Sequence, residues 1–218
     1  KKRPYLLPMQ LSLLALVFVA PFIILGKVIT PRYVLPVVVF MLPAAALAME
    51  YIWREGAKKV AGTGAALILI HSAIFGIPLY INPGQTPFVP EDTGQYLTEW
   101  SAGYGIPEVR DFINATAKEG KVVVATEGYF GTLPDGLLMY FDRSPLIPQG
   151  RLEIFGVGQP IVSLNPKITD QLPDTLVYLL VNKHRMKLNA DTCCELVAEY
   201  QRPLNGPALQ LFRVVKKP

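Results

Sequence analysis

The apolar positions of this chain fall into two regimes. Three runs without a charged residue come first: Tyr5–Gly26, Tyr33–Met49 and Val60–Ile81. Each is long enough to cross a hydrocarbon core of roughly 30 Å as a helix. After Ile81 the apolar runs shorten and alternate with polar turns. Val109, Phe112, Ile113 and Thr116 recur at helical spacing behind Pro107 and Glu108, a proline and an acid suited to a first helical turn. Lys121–Thr126 and Thr175–Val181 read as buried strands, and Leu152–Val157 and Ile161–Leu164 as further short ones. Leu133–Phe141 fits a second helix. Leu196–Tyr200 and Ala208–Val215 form a closing hairpin across a turn rich in proline and glycine.

The pattern predicts a membrane α-helical region of three transmembrane helices, near residues 5–26, 33–49 and 60–81. A connector over 82–98 leads to a small extracytoplasmic α/β domain with a mixed sheet over 99–218. Pro4, Pro8 and Pro21 in the first span, and Pro36 and Pro43 in the second, free backbone groups that neighbouring helices must satisfy, which predicts a larger bundle. Gly62, Gly64, Ala65 and Ala66 permit close helix contact in the third. His71 and Ser72 at its middle suit an interhelical hydrogen bond, and no catalytic role is assigned to them.

Composition agrees with membrane residence: 51% of residues are hydrophobic and mean hydropathy is +0.32, high for an ordinary soluble domain. A signal peptide accounts less well for the first run, which exceeds a usual signal core and precedes two more spans. Charge is unevenly spread. Eight basic and two acidic residues lie before residue 82, against thirteen and fifteen after it, so the net +4 comes from the membrane loops. No basic stripe with interleaved aromatics occurs in the α/β part, and no nucleic-acid partner is expected.

Basic residues near helix ends mark the cytoplasmic side. Lys1, Lys2 and Arg3 sit inside on that rule, as do Arg54, Lys58 and Lys59 two spans later. The first hairpin tip, with Lys27 and Arg32, then faces outside together with everything after Ile81. Two readings are open for these tip cations: snorkelling to lipid headgroups, or a functional charge at the outer rim.

Signatures of soluble enzymes are missing, including phosphate-binding loops, nucleophile elbows and zinc-protease motifs. Gly156-Val157-Gly158 lacks the third glycine of a dinucleotide site and reads as a turn. With two histidines, His71 and His184, on opposite sides of the membrane boundary, no metal site is assigned and no cofactor is evident. Cys193 and Cys194 are adjacent, and three states are open: a vicinal disulfide, pairing between molecules, or reduced structural thiols. Redox catalysis is not expected of them. In the loop after the first strand, Glu127 and Tyr129 are candidate contacts for a polar acceptor, since ligands gather beyond the carboxyl ends of strands. A glycine-rich connector before a helix is the plainer reading. Arg32 is the strongest chemical candidate, because a guanidinium at the rim can hold a phosphate in a bidentate fork while Tyr33 donates a hydrogen bond or anchors the interface.

Thr30-Pro31-Arg32-Tyr33-Val34-Leu35-Pro36 resembles the Arg-Tyr-x-x-Pro motif of the polytopic glycosyltransferases of the GT-C fold, the group of protein O-mannosyltransferases and aminoarabinose transferases. Trp100-Ser101-Ala102-Gly103-Tyr104-Gly105 with Glu108, and Gly131-Thr132-Leu133-Pro134-Asp135-Gly136-Leu137, are similar to segments of bacterial members with a carboxy-terminal extracytoplasmic α/β domain. The resemblance implies transfer of a sugar from a polyprenyl-phosphate donor to a lipid, protein or glycan acceptor at a bacterial plasma membrane. It places Arg32, Tyr33 and Lys27 at the donor phosphate. The catalytic acid of such enzymes lies in an early outer loop, and the outer loop here carries none, so the chain is expected to be the carboxy-terminal part of such an enzyme and inactive alone. No cofactor is implied within these residues, and a divalent metal stays open for the full-length enzyme. The alternative is a non-enzymatic membrane protein whose outer α/β domain binds a ligand or partner in cell-envelope assembly.

Overall fold

The computed structural model describes residues 6–26, 31–172 and 175–215, with side chains of the second helix from Leu35 onward. The chain divides into two compact units, Lys1–Asp92 and Thr93–Pro218.

The first unit holds α1 (Leu6–Leu25), α2 (Pro31–Arg54) and α3 (Lys58–Ile81). All three are long and apolar enough to cross a membrane. Alanines sit at the tight points: Ala15, Ala44 and Ala61 are buried, as small residues at helix contacts should be. Phe18 of α1 stacks on Phe40 of α2 with ring centroids 5.3 Å apart. At Gly64 of α3, an added Cβ would lie 3.5 Å from the Met49 sulfur of α2. The outward faces are bare hydrocarbon, with Ile24 77% and Leu69 70% exposed. α2 continues past the apolar run to Arg54, where an ion pair with Glu50 one turn back joins the last turn.

α4 (Pro90–Thr93) spans the division in sequence, and in the second unit a short wide turn leads on to α5 (Ile106–Glu119). Five strands follow: β1 (Val122–Thr126), β2 (Leu152–Gly156), β3 (Leu176–Asn182), β4 (Cys194–Tyr200) and β5 (Leu209–Val214). Their order in the sheet is β2-β1-β3-β5-β4. β1 pairs parallel with both β2 and β3, while β5 pairs antiparallel with β3 and β4, so the sheet is mixed as expected.

β1 is buried at every position because both faces of the sheet are covered. Val122 and Val124 face α5, where Val109, Ile113 and Ala117 are fully sequestered. Val123 and Ala125 face the other layer, which holds Ile161, Ile168 and the two cysteines. Removing such a side chain from water contributes about 1.5–3 kcal/mol.

The connection from β1 to β2 runs over the α5 face through α6 (Asp135–Leu138) and a further turn to Phe141. The connection from β2 to β3 crosses the opposite face through α7 (Pro166–Thr169). Two short predictions differ in detail. In Ile161–Leu164 Ile161 alone pairs, by a single bridge to Met186, since prolines at 160 and 166 flank the run and carry no N–H for a ladder. The expected helix over 133–141 shortens to one α turn and a tighter turn, with Gly136 at its centre lowering helix propensity.

Candidate functional site

The carboxyl ends of β1 and β3 lie side by side, at the end of the sheet where ligands bind in open α/β folds. Glu127 is the first residue beyond β1, and its backbone N–H still donates to Leu180 of β3 at 3.1 Å. Its side chain turns inward and is almost fully buried. Asn182, the last residue of β3, donates from its backbone N–H to Glu127 Oε2 at 3.1 Å and from its side-chain amide to Oε1. Arg185, one turn further on, donates from Nη1 to Glu127 Oε1 at 3.4 Å and to the Gln159 side chain. Arg202, buried beyond β4, donates to the Asn182 side-chain oxygen and to the Pro207 carbonyl. The Arg185 guanidinium lies 4.6 Å from the centroid of the Trp100 ring, a cation–π contact.

Burial pushes the Glu127 carboxyl above the ordinary glutamate range, against the Asn182 hydrogen bonds and the charges of Arg185 and Arg202, which pull it back. Loss of hydration likewise lowers Arg202. His184, exposed next to Arg185, is held below the usual histidine range by lost hydration and by that neighbouring charge.

Tyr129 contrasts with Glu127 two residues away. It is 71% exposed and Phe130 77%. Their loop is pinned by paired hydrogen bonds between Gly128 and Gly158, at 2.9 and 3.2 Å. Glycine is required at Gly156, where an added Cβ would collide with the Gly128 carbonyl oxygen and approach Tyr129 Cα to 2.9 Å. Gly158 has φ +91° and lies under the Tyr129 hydroxyl, 2.8 Å from where a Cβ would stand. The three parallel strand ends therefore meet around one cluster: Glu127 and Tyr129, Gly158 and Gln159, Asn182 and Arg185.

Of the residues expected at a site, Glu127 and Tyr129 share this loop, one sealed and the other open. Arg32 and Tyr33 fall in the first turn of α2 by its backbone, and Lys27 lies outside the described residues. Asn182, Arg185, Arg202 and Gln159 were not expected from the sequence. The strand-end rule that selects Glu127 would also have selected Lys183-His184-Arg185 after β3, whereas Arg202 carries no local signal.

On the far side of the sheet, an open groove of about 700 Å³ is lined by Leu164, Thr169, Leu172, Cys193, Arg213 and Val214 among others. Cys193 and Cys194 are joined as a vicinal disulfide and both are buried. No group of three or more metal-ligating side chains occurs among the described residues. Comparison with protein families, curated proteins and solved structures finds no match to this chain.

Proposed function

We propose that this chain acts in sugar transfer at a membrane, as the carboxy-terminal part of a GT-C-type glycosyltransferase that uses a polyprenyl-phosphate donor. The observation that supports it is the start of α2. The helix begins at Pro31, so Arg32 and Tyr33 occupy its first turn directly ahead of the apolar stretch from Leu35. That is the rim of a spanning helix, where a guanidinium can reach a diphosphate or monophosphate headgroup without entering hydrocarbon. Positive charge on the departing phosphate would stabilise the bond-breaking step electrostatically. Tyr33 supports this contact and Lys27 adds a second charge. No acid of this chain is assigned the catalytic role, and the acceptor is a lipid, protein or glycan outside the cytoplasm.

The test is transfer by the full-length protein in native membranes from a radiolabelled polyprenyl-phosphate sugar. Arg32→Ala is expected to lower transfer by about 10- to 1,000-fold with the protein level unchanged. Equal transfer would reduce Arg32 to an interfacial anchor. The second reading, a membrane protein whose α/β unit binds a ligand, is favoured by the charged cluster at the strand ends. Absence of transfer by wild type across several donors would select it.

A further inference from the structure

We propose that the open side of the strand-end cluster binds an acidic glycan, with a sugar ring on Tyr129 and Phe130 and its carboxylate or phosphate on Arg185. The charge balance comes first. Of two guanidiniums near Glu127, Arg185 touches the carboxylate directly and Arg202 reaches it through Asn182. Lys183 nearby is occupied by Glu199 at 3.4 Å, and Glu99, exposed to solvent, acts electrostatically on Arg202 and His184. Glu127 and Glu99 together balance Arg185 and Arg202, so what the cluster offers an anion is the unused edge of the Arg185 guanidinium. Arg202 Nε adds a buried donor without a hydrogen-bond partner among the described residues.

The second argument is the pose of Arg185. Its hydrogen bonds to Glu127 and Gln159 both leave from Nη1. Trp100 fixes the plane of the guanidinium from one face, and the side chain remains 19% exposed. Nε and Nη2 form the other edge of the fork, preset for a second, bidentate acceptor. Third, the space between Trp100, Asn182 and Arg202 has no room for water. A ligand must therefore lie on the rim instead of entering a cavity. The rim offers two exposed aromatic side chains, and Tyr129 rests on Gly158 beside Gln159, the partner of Arg185. The C–H face of a pyranose suits such rings, and its anionic substituent suits the fork.

This site is read from the α/β unit alone and stands whether or not the chain takes part in transfer. Its test uses the full chain in detergent micelles with Trp53→Phe, which leaves Trp100 as the sole tryptophan. Tri-galacturonate and glucose 6-phosphate are titrated in separate arms, carboxylate against phosphate, with maltotriose as the neutral control. A saturable change in Trp100 emission with either acidic probe, and none with maltotriose, is expected. Arg185→Gln should weaken binding by about tenfold or more. Tyr129→Ala, at an exposed position that folding does not need, should weaken both sugar probes while leaving inorganic phosphate unaffected. Equal response to maltotriose, no saturation by either acidic probe up to about 10 mM, or unchanged affinity in Tyr129→Ala would each overturn the proposal.

Discussion

Asn182 and Arg185 reach Glu127 from the two sides of one short turn, and Arg202 reaches it through Asn182. Replacing Glu127 with alanine leaves these donors facing each other in a dry site. Breaking a buried charged pair from one side costs about 3–5 kcal/mol, and Glu127→Ala should lower the stability of the α/β unit by about that much in urea unfolding. Exposed Tyr129→Ala should stay within about 0.5 kcal/mol of wild type. The pH dependence has a definite sign. Burial raises the folded-state pKa of Glu127 above the unfolded value near 4.5. Its contribution is then whole below pH 4.5 and is lost as pH rises through the folded-state pKa. Glu127→Gln removes that loss, so wild type should lose stability relative to Glu127→Gln as pH rises from 4.5, measured by urea midpoints at a series of pH values.

At the scale of elements, the strands that carry the site were legible for a simple reason. β1 and β3 are central, covered on both faces, and so written as unbroken β-branched or aliphatic runs. Helix α5 was legible from its four-residue periodicity and its proline start. Ends and turns were less so. α2 runs on through Glu50–Arg54 because a surface ion pair sustains a helix where apolar counting stops. Residues 161–164 look like a strand in composition, yet a ladder needs N–H donors that flanking prolines withhold. The cluster itself was half legible: Glu127 follows a visible strand, but Arg202 is brought to it only by the packing of the hairpin. The fit of β2 against the β1 loop gives an element-scale prediction. Gly156→Ala forces a methyl group into the Gly128 carbonyl, and overpacking of this kind should cost about 1–3 kcal/mol, read as a lower thermal midpoint with β2 amides exchanging faster.

For the whole molecule, the basic residues at the helix ends predict an orientation that chemistry can check. In intact spheroplasts, Ser163→Cys on an exposed loop of the α/β unit should react with a membrane-impermeant maleimide. Glu55→Cys between α2 and α3 should react only after permeabilisation. The reverse pattern would put the α/β unit in the cytoplasm and remove polyprenyl-phosphate transfer to an outer acceptor from consideration.

The vicinal disulfide bears on how this protein can associate. The chain has two cysteines, and each is the other's partner. With the ring closed, neither of these two sulfurs is left to staple one copy to another or to a neighbour. A higher band in electrophoresis without reductant should therefore persist unchanged when both residues are replaced by serine.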